Sequence, residues 1–305
     1  MKRILLVLVC MTALVCVAAD RTLTATGSAL QDYGDGPTTR SAYVPQIYTN
    51  KQTVWFLGQS NANGVGSRSN NALGSLTNAQ AHSWLKWEYM DHNIPSAIEV
   101  FRGVRPMVPF YTNIWGMEVT FADEVNSLTG DGVGVIKTAM GSTTIFDDWP
   151  KVGGTRYLYD RSLQQLGRSF REMRAHGQVQ DMRALVWIQG YGDAGTEARS
   201  LAYYSGLTNL MADFRSDSGY GTNMHITIGR CSIAMTNTRT DAWLETVRDA
   251  QTNAAGTLVN ASWFDMDDIP MRTDSADAYV HYSDLGLMYI GRRVASNLVA
   301  NGVID

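Results

Sequence analysis

The sequence predicts an α/β domain in which a parallel sheet is covered by helices. Short apolar runs alternate with amphipathic stretches from Val54 onward. The runs are continuously hydrophobic rather than alternating, the mark of strands buried on both faces. Strands are expected at TVWFL (53–57), VGVIKTA (133–139), ALVWIQ (184–189) and HITIGRCSI (225–233), with a further one at AIEVF (97–101) or WFDM (263–266).

Helices are expected between them. Leu163, Leu166, Phe170 and Met173 recur at three- and four-residue steps, as do Leu201, Tyr204, Leu207 and Met211, and then Trp243, Val247 and Ala250. Such stripes are core-facing sides of helices. The last helix is expected to begin at Ser283, a good N-cap, and to run through DLGLMYIGRRVASNLVANG to a stop at Gly302.

The chain begins MKRILLVLVCMTALVCVAAD: two cations, an apolar run short for a bilayer, then small residues. Residues 1–19 therefore read as a secretory signal peptide, with an uncleaved N-terminal anchor as the alternative, and the protein is expected to be secreted or periplasmic. Residues 20–50, rich in Thr, Gly, Ser and Tyr, form a loop-rich lead-in, and residues 51–305 one domain, since no linker or repeat divides them. Loss of the leader removes Cys10 and Cys16 and leaves Cys231 alone. That excludes an intramolecular disulfide and a cysteine-rich metal site, so the fold rests on its own core, which a chain this long can supply. The net charge of −4 becomes −6 without Lys2 and Arg3, a mild acidity that argues against nucleic acid or an anionic membrane as partner. No later stretch has membrane length, so no membrane contact is expected beyond the signal peptide. No His/Cys/Asp cluster has ligand spacing, so neither a metal nor a cofactor is expected.

Parallel sheets bind ligands at the carboxyl ends of their strands. Ser60, in WFLGQSNANGVG (55–66), follows the first strand and lies on that edge. Taken alone, the stretch reads more readily as a polar turn than as a nucleophile. A serine becomes a nucleophile when a histidine oriented by a carboxylate takes its proton. His82 and His92 lie in a polar, Trp-rich insertion, His176 ends a helix, and His225 opens a strand, which places it on the opposite edge. His281 falls between the last strand and the last helix, on the Ser60 edge, in DSADAYVHYSDLG with Asp274, Asp277 and Asp284 nearby. Donors for an oxyanion are available on the same edge from the Gln189 side chain and from the backbone of Ser60 and of Gly141 in AMGSTTIFDDW. Asp193, in QGYGDA, reads as a structural partner of the strand-edge loop.

The blocks GQSNANG, AMGSTTIFDDW, WIQGYGDA, VRDAQ and HYSDLGLMYIGRR stand in the order and spacing of the sialate O-acetylesterase-like branch of the SGNH hydrolases, the group that includes acetylxylan esterases. The chain resembles that branch over about residues 52–297. The resemblance implies a three-layer α/β/α sandwich with a flavodoxin-like, parallel five-stranded sheet, and metal-free removal of acetyl groups from carbohydrate. It implies Ser60 as nucleophile, His281 as base, an oxyanion hole of Ser60, Gly141 and Gln189, and Gln59 and Asn61 as the residues flanking the nucleophile. Two positions depart from the pattern. Tyr191 stands where the branch usually has Glu, and Ala278 where it places the triad Asp, with Asp277 one residue further back. Asp277 is taken as the triad acid and Asp274 as its substitute. The function expected is an exported serine esterase acting on O-acetylated carbohydrate; the alternative is a catalytically impaired carbohydrate-binding protein on the same scaffold. Trp84, Trp87, Trp115 and Trp149, in loop-like sequence, either stack on sugar rings or pack into the core.

Overall fold

The computed structural model describes residues 51–65, 73–74, 76, 80–90, 98–104, 115–175, 179–235, 240–274 and 278–305. The expected signal peptide and lead-in lie outside these residues, as do His92, His176 and Asp277.

The described strands are β1 (Lys51–Gly58), β2 (Gln80–Met90), β3 (Ile98–Val104), β4 (Gly134–Met140), β5 (Gln180–Ile188), β6 (His225–Gly229) and β7 (Ala261–Phe264), in the order β3-β2-β4-β1-β5-β6-β7. All neighbours run parallel except β3, which is antiparallel to β2. Counted among themselves, the strands β4-β1-β5-β6-β7 have the order 2-1-3-4-5, the flavodoxin-like arrangement. The four firm strands are present and both alternatives for the fifth, 97–101 and 263–266, are strands (β3 and β7); with β2, which was not expected, the sheet is corrected from five strands to seven. β2 escapes a search for continuous apolar runs because Leu85, Trp87 and Tyr89 alternate with Lys86 and Glu88. That alternation is the signature of a strand with one polar face.

Helices α1 (Ser60–Asn63), α2 (Glu118–Thr129), α3 (Leu158–Ala175), α4 (Glu197–Ser218), α5 (Asp241–Thr257) and α6 (Asp284–Ala300) connect the strands. Successive residues of β1 show which face each helix takes. Phe56 meets Phe121 of α2 edge-on at 5.0 Å, and Trp55 meets Phe214 of α4 at 5.1 Å. Neighbours in a strand point to opposite faces, so α2 and α4 cover opposite sides of the sheet. α6 packs beside α2, and α5 beside α4. These are the three expected layers.

Leu163, Leu166 and Met173 of α3 are buried as expected. The α4 stripe is displaced: Leu207 and Met211 are buried, but Leu201 and Tyr204 are exposed, and Ser200, Tyr203, Leu210 and Phe214 complete the inner face. Tyr203 is drawn inward by its hydroxyl, which bonds within the polar frame described below. In α6 the Ser283 side chain accepts from the Gly286 amide as the N-cap. Trp84, Trp115 and Trp149 are fully buried, Trp149 edge-on to Trp187 at 4.9 Å, so these three pack the core rather than offer faces to a sugar. Among the described residues no helix is long and apolar enough to cross a membrane.

Phe214 touches Trp55, Trp149 and Tyr159 from one position on α4. Phe214→Ala should cost ~3–5 kcal/mol, the loss typical of a truncated core aromatic, read as a lowered midpoint in denaturant titration. A loss below ~1 kcal/mol would mean that α4 does not share the core of β1.

Candidate active site

β1 and β5 lie side by side, and the candidate site grows from their carboxyl ends. The chain leaves β1 through Gly58, at φ 151°, where a Cβ would stand 2.1 Å from the Ile188 carbonyl oxygen. Only glycine permits so close a passage. The next residue, Gln59, fastens the two exits together. Its amide donates to Ile188 O at 3.0 Å, and its Oε1 accepts from the Gly190 and Gly192 amides at 3.4 and 3.3 Å.

Ser60 then opens α1, a single turn ended by Gly64 in the left-handed region at φ 92°. As the first helical residue, Ser60 has an N–H with no acceptor inside the helix. Asn61 reaches across to the turn before α6. Its Nδ2 donates to Val280 O at 3.2 Å, and its Oδ1 accepts from Tyr282 N at 3.1 Å. The residue after the serine thus holds both neighbours of His281. Two further bonds fix that turn: Arg272 N donates to His281 O at 2.8 Å, and Ser232 N donates to the Tyr282 hydroxyl at 3.3 Å. Gly141, just beyond β4, is a third neighbour, since a Cβ placed there would lie 3.5 Å from Ser60 Cβ. Ser60 and His281 are both buried.

Gln189 departs from the expected oxyanion role. Its carboxamide nitrogen donates to Thr143 O at 3.0 Å and to Asp193 Oδ2 at 2.5 Å, while its Oε1 faces the Tyr203 hydroxyl at 3.0 Å. A carboxamide with both hydrogens committed has none for an oxyanion. In this structure Gln189 is a strut that holds the loop after β4 to the loop after β5. Asp193 is the structural partner expected: fully buried, it also accepts from the Ile145 amide at 3.1 Å on both oxygens. Burial pushes its carboxyl up to about 7, against the opposing bonds from Gln189 and Ile145.

The VRDAQ block supplies a residue that the search for catalytic partners passed over. Gln251 donates to Gln189 O at 2.8 Å and accepts from Cys231 N at 2.9 Å, so the third and fourth blocks meet beneath the site. The block's order in the chain was its signal. Tyr191 is buried in the core. Asp274 pairs with Arg272 at 3.2 Å, its side chain 70% exposed. His225 lies at the opposite edge, as expected, with its ring nitrogens 2.8 Å from Asn260 Oδ1 and Ser262 Oγ.

A family model described as carbohydrate esterase, sialic acid-specific acetylesterase, matches residues 51–300. The chain belongs to this family. By family it is a carboxylic ester hydrolase of the SGNH type. Solved structures share the fold of this esterase at low identity. An Arabidopsis thaliana protein is 17% identical with a TM-score of 0.60, over 83% of this chain and 99% of its own. NanS is 14% identical with a TM-score of 0.58, over 84% and 98%. XAC1771, a carbohydrate acetylesterase from Xanthomonas citri, is 16% identical with a TM-score of 0.59, over 82% of this chain and 56% of its own. No curated protein matches the esterase in sequence.

The raised Asp193 carboxyl makes a stability prediction. A carboxyl whose folded value, about 7, exceeds its ordinary 3.8 binds a proton in the folded state that the unfolded chain releases. Its contribution is complete below about pH 4 and is lost as pH rises through about 7. The gap in melting temperature between wild type and Asp193→Asn should therefore be widest at about pH 4 and shrink toward pH 8. A gap that stays constant with pH would mean that the carboxyl keeps its ordinary value in the folded protein.

Proposed function

We propose that this esterase is exported and removes O-acetyl groups from carbohydrate hydroxyls, of the acetylxylan or O-acetylated sialic acid type, through a Ser-His-Asp triad. The observation that carries the reading is the Asn61 bridge, which joins the serine's own turn to both residues flanking His281. Ser60 attacks the acetyl carbonyl while His281 takes the hydroxyl proton. The tetrahedral oxyanion is received by the backbone amides of Ser60 and Gly141, and Gln189 acts by holding the Gly141 loop in place. His281 returns the proton to the departing sugar oxygen. Water then attacks the acetyl-serine with His281 again as base, releasing acetate and restoring Ser60. Asp277 orients the imidazole. Asp274 is a poorer candidate because it is exposed and already paired with Arg272. Export rests on the leader sequence of residues 1–19.

Ser60→Ala and His281→Ala should each lower turnover of p-nitrophenyl acetate by at least ~10³-fold, and the double variant should be scarcely worse, since a nucleophile and its base act as one unit. Losses that multiply would separate the two residues. Undiminished turnover in Ser60→Ala would favour the carbohydrate-binding alternative, with any hydrolysis coming from elsewhere.

The triad acid is tested by Asp277→Asn against Asp274→Asn at neutral pH, with thermal melting to confirm folding. Asp277→Asn should lose up to ~10⁴-fold and Asp274→Asn little. The reverse pattern moves the assignment to Asp274, and small losses in both identify a Ser-His dyad.

A further inference from the structure

We propose that Lys137 and Glu118 are positioning residues for the nucleophile: a buried ion pair that fixes the far end of the one-turn helix opened by Ser60. The proposal rests on the esterase reading above and names residues that reading does not use.

Lys137 lies within β4 and Glu118 in the first turn of α2, and their side chains are 1% and 0% exposed. Lys137 Nζ donates to Glu118 Oε2 at 2.8 Å and to the Asn63 carbonyl at 3.2 Å. Asn63 is the last residue of α1, so this cation sits at the carbonyl end of the helix, where a positive charge is favoured. Glu118 Oε1 accepts from the Gly116 amide at 2.9 Å. Two glycines make room for the assembly. A Cβ at Gly116 would stand 2.5 Å from Glu118 Oε2 and 2.6 Å from Lys137 Nζ, and one at Gly64 would stand 2.2 Å from Trp115 O. The end of α1 is thereby seated directly on the 115–116 backbone.

The pair is not explained by stability. Desolvation of two charges is costly, and an apolar pair of similar volume often serves a fold as well or better. Burial alone drives the Lys137 ammonium toward its neutral form, and the attraction of Glu118 opposes this. The structure thus keeps a costly charge against the only helical turn that carries the serine. The same strand ends at Met140, and the next residue, Gly141, lies beside Ser60. β4 therefore fixes the serine from two directions, through Lys137 at the helix end and through Gly141 at the reacting end. A serine turn released at its far end can tilt, and a displacement on the order of 1 Å is enough to slow an oriented reaction about 100-fold.

The experiment compares wild type with the electroneutral double variant Lys137→Met/Glu118→Gln. It measures p-nitrophenyl acetate hydrolysis, the rate of Ser60 labelling by a fluorophosphonate, and thermal melting. The double variant should melt close to wild type, with kcat lowered about 10- to 100-fold, KM changed less than about threefold, and labelling slowed in parallel. Wild-type kcat and labelling in the folded double variant overturn the proposal. If the double variant does not fold, Glu118→Gln decides, because it keeps the Gly116 acceptor and nearly the same volume. A kcat lowered about threefold or more at unchanged KM supports positioning, and a wild-type kcat overturns it. A wild-type protein that neither hydrolyses the ester nor takes the label overturns the esterase reading itself.

Discussion

The two bonds that Gln59 Oε1 accepts from the Gly190 and Gly192 amides are the constraint on which the rest of the site depends. β1 and β5 are adjacent and parallel, but the chain leaves β1 toward β2 and β4 and leaves β5 toward β6. A crevice opens where connections diverge in this way. Both exits pass through glycines at φ 151°, Gly58 and Gly190, so the two strand ends turn alike. Gln59 occupies the seam between them. Without its carbonyl, two peptide N–H groups at the floor of the crevice would lose an acceptor, and buried backbone donors are rarely left so. Ser60 and Asn61 follow Gln59 in sequence, and Gln189 precedes Gly190. Fixing the seam therefore fixes the starting point of each group that faces the crevice.

The frame around this seam is built mainly from carboxamides. Gln59, Asn61, Gln189 and Gln251 each use a neutral group that donates, accepts or does both, so buried polar atoms are satisfied without burying charge. Tyr203 joins them, accepting from Trp187 at 3.2 Å and lying within reach of Gln189 O. Ion pairs stand further back. Arg248 grips both oxygens of Asp267, at 2.6 and 2.8 Å, and also donates to Cys231 O, while Asp267 accepts from the Ile233 amide. The cation thereby holds the loop after β6 behind the site.

Much of this was legible in the sequence. Continuous apolar runs located β1, β4, β5 and β6 because burial on both faces leaves an unbroken signal, and the loops after β1, β4, β5 and β7 bring Ser60, Gly141, Gln189 and His281 to one edge. β2 was not legible by that criterion because its polar alternation follows a different rule. The α4 stripe was displaced because Tyr203 is buried for its hydroxyl bonds, which hydrophobic periodicity does not record. The bonds of Gln189 were not legible for a related reason. Residue type shows what a side chain can donate, whereas the acceptors that claim it, Thr143 O and Asp193, come from distant and neighbouring positions that only the fold brings together. Lys137 lay inside an apolar strand run, where a single charge gave no hint of its partner on α2.

The two departures from the family pattern have a common physical form. At Tyr191 the usual acid is replaced by a ring that enters the core, yet the loop still holds a buried carboxylate at Asp193, in contact with the amide of Gln189. Ala278, the position three residues before His281 where an acid was expected, lies in a turn rather than in the sheet. That turn is closed by Tyr279 N donating to Arg272 O and Arg272 N donating to His281 O, both at 2.8 Å, with Tyr279 in the left-handed region at φ 60°. His281 is anchored from outside the turn, by Asn61 at both of its neighbours and by the Ser232–Tyr282 bond at the second of them. An extra residue in a surface turn costs little closure entropy and alters only the turn's own path. Both residues flanking His281 are held from outside the turn, so the backbone of His281 keeps its place whatever path the turn takes before them.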